Sequence, residues 1–300
     1  MSYGKDNDII KLLEESGIKF KQKEKTSLQF DTGGENYFDY LCRTFNLNCE
    51  DFKPYFSEAI SGEGTEGNKI DSIWSSSLLA LLFFYSAIRQ NGGIKIRGID
   101  GALFDRCCFE FRNPAMNPSK PSCPDCVLLS SDKRHIVFVE CKFTEYLSHK
   151  KAKLSEKYAN DECTKQIANK FSELQNRGES HYFEGIKQVI THYYGICNFL
   201  KDMPDHPELK NGRKRVVIDE YRKGAKVHFL EVVYDFYKIG KDKYKDRLDD
   251  YKNIHSKFID MINAENPELD ALPLTTYQEI LQYSDNFNKL SKEIKNFYKL

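Results

Sequence analysis

Apolar positions along this chain follow two periods. From about 68 to 90 they crowd together, with SLLALLFFYSAI as the dense part, and NGG follows as a C-terminal stop signal. This predicts a buried helix. Shorter apolar runs come next: KIRGI (95 to 99), RCCFEF (106 to 111), CVLLS (126 to 130) and HIVFVECKF (135 to 143). Their β-branched, aromatic and aliphatic content predicts strands. SSDKR separates the last two as a polar turn, so those two form a hairpin. The helical period returns over about 148 to 176 and again over about 182 to 200, where Phe183, Ile186, Ile190, Tyr193 and Cys197 share one face. RVVI (215 to 218) and KVHFLEVVYDF (226 to 236) read as strands again.

The ends are helical in pattern. Residues 6 to 16 and about 36 to 46 predict short helices, divided by the basic stretch KFKQKEK and the turn DTGGEN. SGEGTEGNK (61 to 69) predicts a loop. Tyr244, Leu248, Tyr251, Ile254, Phe258 and Ile262 form one apolar stripe in the tail. After Pro267 and Pro273, Tyr277, Ile280, Leu281, Phe287, Leu290 and Ile294 form another. Packing against the core is the plain role for both stripes; a dimer face or a substrate clamp is the alternative. The order predicts an α/β fold, a helix-flanked sheet that is partly antiparallel.

Composition narrows this picture little. The chain has 300 residues, 40% hydrophobic and 30% charged, with Lys plus Arg equal to Asp plus Glu at 45 each. A net charge of zero gives no general attraction to polyanions, so a nucleic-acid partner must be met by local patches. Basic clusters lie at 148 to 157, 212 to 217 and 238 to 247, and solvated faces are their ordinary role. The run 72 to 88 carries no charge over 17 residues but holds five serines, and its apolar block is eight residues long. A membrane span needs about 20 mostly apolar residues, so a core helix is expected, with no membrane partner. Nine cysteines, odd in number and irregular in spacing, without an N-terminal secretion signal, predict a reduced cytoplasmic setting.

The candidate chemistry lies at the end of the last predicted hairpin strand. Glu140 and Lys142 alternate onto one face with Ile136 and Phe138, while Val137, Val139 and Cys141 point the other way. A plain ion pair is one explanation. The preceding strand opens with Pro124-Asp125, however, and an antiparallel hairpin brings that Asp beside Glu140. Two carboxylates so close repel unless a proton or cation stands between them, and hard oxygen ligands favour Mg²⁺ or Mn²⁺.

Pro124-Asp125, then 14 residues, then Glu140-Cys141-Lys142 resembles the signature of the PD-(D/E)XK nuclease superfamily, the restriction-endonuclease-like fold. The resemblance covers roughly residues 60 to 236 and implies an αβββαβ core. That core would occupy 61 to 236, between a helical extension over 1 to 60 and a helical region over 237 to 300. It implies a metal-dependent deoxyribonuclease, DNA being favoured over RNA, in a restriction or defence setting. Asp125 and Glu140 would hold Mg²⁺ or Mn²⁺ with the carbonyl of Cys141, and Lys142 would orient water or stabilise charge on phosphate. Many relatives carry an acid near the first core helix; Glu66 is the first candidate, with Glu63 and Glu58 as rivals. Some carry a Gln followed, after three intervening residues, by Tyr. This chain has Gln188, but His192 replaces that Tyr, which leaves the role of Gln188 open beside that of a plain polar residue. Double-strand cutting in such families often calls for a homodimer. The alternative is a catalytically silent nucleic-acid-binding or scaffold protein of the same fold. Cys123-Pro-Asp-Cys126 also has the spacing of half a zinc site, which Cys107 and Cys108 would complete; small buried thiols are the commoner case.

Overall fold

A computed structural model describes residues 7–24, 27–61, 70–90, 92–117, 120–147, 152–178, 183–201, 211–222, 224–284 and 290–300. The N-terminal part contains helix α1 (Asn7–Glu14), the hairpin β1 (Phe20–Glu24) and β2 (Ser27–Phe30), and helices α2 (Tyr37–Thr44) and α3 (Cys49–Ala59). The basic stretch KFKQKEK thus supplies one strand of a hairpin, and α3 has no counterpart among the expected elements.

Helix α4 (Ser76–Tyr85) starts where the Ser75 hydroxyl accepts from the Leu78 N–H at 3.0 Å. Every residue from Ser77 to Tyr85 is buried, so a helix apolar on all sides is covered on all sides. It continues as a single π-helical turn over Ser86–Gln90. Among the described residues no helix is long and apolar enough to cross a membrane.

The central sheet is mixed and flanked by helices. Its order is β3 (Phe104–Phe109), β4 (Cys126–Ser130), β5 (His135–Lys142), β6 (Lys226–Val233) and β7 (Leu269–Ala271), with β8 (Thr275–Thr276) also pairing β6. Strands β3, β4 and β5 are antiparallel neighbours; β6 runs parallel to β5, and β7 and β8 run parallel to β6. Both β5 and β6 are buried on both faces, apart from their first residues, as their nearly unbroken apolar runs require. The tail beyond 237 is therefore not wholly helical, since residues 269 to 271 and 275 to 276 extend the sheet.

Between β5 and β6 lie α5 (Glu156–Ala159), α6 (Lys165–Arg177), α7 (Phe183–Leu200) and α8 (Arg213–Arg222); α9 (Lys245–Glu265), α10 (Tyr277–Tyr283) and α11 (Lys292–Tyr298) follow β6. One face of β5 meets α7, where Phe138 and Phe199 stack edge-on with centroids 5.2 Å apart. The other is covered by α4 and α10, joined by Phe83 and Tyr277 at 4.8 Å. The chain ends meet: the Phe297 ring lies 5.5 Å from Phe30 and 5.6 Å from Phe45.

Two expected strands are something else. KIRGI is coil, preceded by the bridge of Ile94 to Phe104, and Gly98 breaks it with φ +94°. Its Ile96 and Ile99 are buried without ladder bonds, so burial rather than pairing explains the apolar run. RVVI lies inside α8, whose Lys214, Ile218 and Tyr221 are buried at helical spacing. Packing of that face overrides the β-branched preference of the run.

Candidate active site

The antiparallel register of β4 and β5 pairs Cys126 with Val139, so Asp125 stands across from Glu140. The structure brings Asp125, Glu140 and Lys142 together at the edge of one cleft of about 510 Å³. They are 9%, 4% and 2% exposed respectively, so their partners decide their charge.

Asp125 reaches past the end of β4. One carboxylate oxygen accepts from the Cys141 N–H at 2.8 Å, and the other accepts from the Ser77 hydroxyl of α4 at 3.0 Å. Burial, then the charge of Glu140, pushes its pKa well above the usual carboxylate range. Glu140 goes the other way. Burial opposes its ionisation, but the charges and hydrogen bonds of Lys142 and His192 bring it down to about 2. Its Oε1 pairs with the Lys142 ammonium, and its Oε2 lies 2.9 Å from His192 Nε2. Lys142 is held above its ordinary value: burial works against its charge, while Glu140, Glu231, Asp125 and Glu145 outweigh it. It is a fixed cation, not a base.

In the sequence His192 stands out only as a departure from a family pattern. It sits one turn after Gln188 on α7 and is buried. An ionised Glu140 can only accept, so Nε2 carries the hydrogen. Nδ1 then faces the Ser122 hydroxyl at 2.7 Å. Ser122 is fixed by an antiparallel bridge to Asn113. Gly195 lets α7 lie this low: a Cβ there would meet the Cβ of Ser122 at 2.7 Å. Nothing in the sequence ties Ser122 to His192, 70 positions away; only the packing does.

Beneath Lys142 is a further carboxyl. Glu231 is the in-register partner of Glu140 on β6 and is fully buried. Its Oε1 accepts from the Tyr251 hydroxyl of α9, while its Oε2 has no hydrogen bond and faces His255 Nε2 at 3.6 Å. Burial raises Glu231 to about 7 and lowers His255 to about 3. Gly185 admits Tyr251, since a Cβ would stand 2.2 Å from its hydroxyl.

The other expected residues fall differently. Glu66 and Glu63 lie outside the described residues. Glu58 is not in the cleft wall; it accepts from the Phe109 N–H at 3.2 Å. Gln188 is half-buried and borders the cleft, beside Glu184. Glu110, also at the cleft, is a buried residue with φ +51°. The ammonium of Lys214 holds that bend by donating to the carbonyls of Glu110 at 2.6 Å and Phe109 at 3.1 Å. Lys214, from the basic cluster at 212 to 217, is therefore buried in the fold and not on a solvated face.

Among the described residues no three His, Cys, Asp or Glu side chains are grouped so as to hold a metal ion by themselves. Cys123 borders the cleft, whereas Cys126 is enclosed in the sheet beside Cys107. A cation here would take two carboxylates and a backbone carbonyl, with water completing its shell. The donors fit a hard divalent ion. Each ionised carboxylate oxygen keeps a second lone pair beyond the hydrogen bond it accepts, and the Asp125–Glu140 repulsion is what a cation relieves. The cleft as a whole is acidic, with Glu110, Asp125, Glu140, Glu145 and Glu184 against Lys142. No family model, curated protein or solved structure matches this chain.

Proposed function

We propose that this cleft hydrolyses phosphodiester bonds, in DNA before RNA, with Mg²⁺ or Mn²⁺ held by Asp125, Glu140 and the Cys141 carbonyl. The observation that carries the reading is the meeting of two acids and one fixed ammonium at adjoining strand ends in an open cleft. The element order α4, β3, β4, β5, α7, β6 supports it, being the αβββαβ order of the PD-(D/E)XK core with α5, α6 and α8 added between β5 and β6. A restriction or defence setting, a cytoplasmic location and a homodimer belong to the same proposal.

When bound, the ion would acidify a water and offset phosphate charge. The chain's own residues have distinct tasks. Ser77 and the Cys141 N–H aim Asp125; Ser122 and His192 aim Glu140. Lys142 offers a permanent positive charge to a phosphate oxygen. Because carboxylates outnumber cations in the cleft, a polyanion is repelled until a divalent ion is present. Chelation should therefore weaken substrate binding as well as cleavage.

One observation favours a catalytically silent protein instead: Lys142 and Glu140 are locked to each other and almost wholly covered. The test incubates plasmid, linear and single-stranded DNA and RNA with Mg²⁺, Mn²⁺ or EDTA, using the native chain and Glu140→Gln. A loss of several kcal/mol of transition-state stabilisation lowers the rate roughly a thousandfold, at about 1.4 kcal/mol per decade. Undiminished cutting by Glu140→Gln removes the assignment. Thermal stabilisation by Mg²⁺ without cutting of any substrate selects the silent reading.

A further inference from the structure

A second cavity, of about 280 Å³, lies away from the acidic cleft, where the segment before α6 meets α7 and the end of α9. Cys163 and Cys197 both line it. Cys163 is half-buried, one residue before the N-cap Thr164 of the 13-residue α6. Cys197 is buried on α7, and Asn266 Nδ2 donates to its sulfur at 3.5 Å. The Tyr193 ring, the Cys197 thiol and the Cys163 thiol face one another across this cavity.

The charges around Cys163 are mixed. Lys201, just past the end of α7, is a cation facing it. Asp161 and Glu162 lie on its own segment, and Glu265 and Glu268 come from the end of α9 and the turn beyond. The neighbouring Cys197 and Tyr193, with Lys201, bring the Cys163 thiol down to about 7 against burial and the acids, while Cys163 and burial push Cys197 up. The positive end of α6 acts in the same direction.

We propose that Cys163 and Cys197 form a reactive thiol pair, Cys163 being the nucleophile toward hydrogen peroxide and Cys197 the resolving thiol. The Cys163 thiolate attacks one peroxide oxygen; an S–O bond forms, the O–O bond breaks, and the departing hydroxide takes a proton to become water. The Cys197 sulfur then attacks the Cys163 sulfenic acid, forming the disulfide and expelling a second water. Two thiols lose two electrons, and one peroxide becomes two waters. The disulfide ties α7, the helix that carries His192, to the segment ahead of α6. The assignment is independent of the phosphodiester reading.

The test uses the full chain. Its thiols are alkylated with iodoacetamide from pH 5.5 to 9.5 and mapped as peptides, with the exposed Cys49 as internal comparison. A thiol ionising near 7 is about half thiolate at pH 7, against about 3% for an ordinary thiol. Its lower intrinsic nucleophilicity takes back about fivefold, leaving a rate roughly threefold higher and an inflection near pH 7. Peroxide should give a linked Cys163–Cys197 peptide, two hydrogens lighter than the pair. Cys197→Ser, or Cys197→Ala if the hydroxyl perturbs the site, should stop at a dimedone-trapped Cys163 sulfenic acid. Cys163→Ser should give neither product. An inflection of Cys163 at pH 8.5 or above, or peroxide-treated native protein lacking the linkage, overturns the proposal.

Discussion

Replacing Glu231 by Gln should stabilise the protein at neutral pH, although it alters a fully buried side chain. Glu231 ionises at an ordinary 4.5 in an open chain and at about 7 in the folded one, because burial disfavours its charge. Between those values the folded chain keeps a proton that the unfolded chain has released, so stability falls as pH rises through the window. The displacement corresponds to about 3 kcal/mol, fully lost above pH 7. Gln keeps an acceptor for the Tyr251 hydroxyl, and its amide can donate to a ring nitrogen of His255, which has no hydrogen-bond partner among the described residues. His255, lowered to about 3 by burial, is neutral and able to accept. Urea unfolding of both chains at intervals from pH 4 to 8 is the assay. The two should be nearly equal at pH 4 and diverge to about 3 kcal/mol in favour of Glu231→Gln at pH 8. A difference that stays flat with pH, or a native chain more stable at pH 8, refutes the reasoning.

Other expectations follow from the same cleft. His192→Ala leaves the Ser122 hydroxyl and one Glu140 oxygen unpaired, at about 1–3 kcal/mol each. Glu140 then moves up from about 2 toward 4.5, so its share of stability, which is lost as pH falls from 4.5 to 2, shrinks; acid melts should be flatter over that range. Gly195→Ala gains about 1 kcal/mol of helix preference. The clash with Ser122 at 2.7 Å outweighs this, with about 1–3 kcal/mol of overpacking and a lower Tm by calorimetry. Asp125→Asn keeps an acceptor for the Cys141 N–H and so should fold, with circular dichroism unchanged, while cleavage by the Mg²⁺-loaded protein drops roughly a thousandfold.

Local patterning explains what could be read early and what could not. Strands β4 and β5 are dense in Val, Ile, Leu and Phe, and a polar turn joins them, so both their extent and the approach of Asp125 to Glu140 follow from alternation and register. Glu231 was hidden because KVHFLEVV reads as a strand without revealing that the carboxyl shares a face with Lys142; that needs the parallel pairing with β5. Ser122 and His192 carry no spacing signal at all. α8 was misread because its β-branched run is local, whereas the burial of Lys214, Ile218 and Tyr221 that makes it a helix is tertiary. The hairpin of β1 and β2 was obscured by the charges along its first strand.

Glu110 and Pro121 border the cleft, yet the anchors of the chain around them come from far along the sequence. Asn211 bonds both the N–H and the carbonyl of Arg112, each at 2.8 Å; Lys214 clamps the carbonyls of Phe109 and Glu110; and Asn198 donates to Pro114 at 3.1 Å. These bonds close loops of 84 to 105 residues, a separation that predicts their formation late in folding. A weakened anchor such as Asn211→Ala should then hasten unfolding while leaving the refolding rate nearly unchanged.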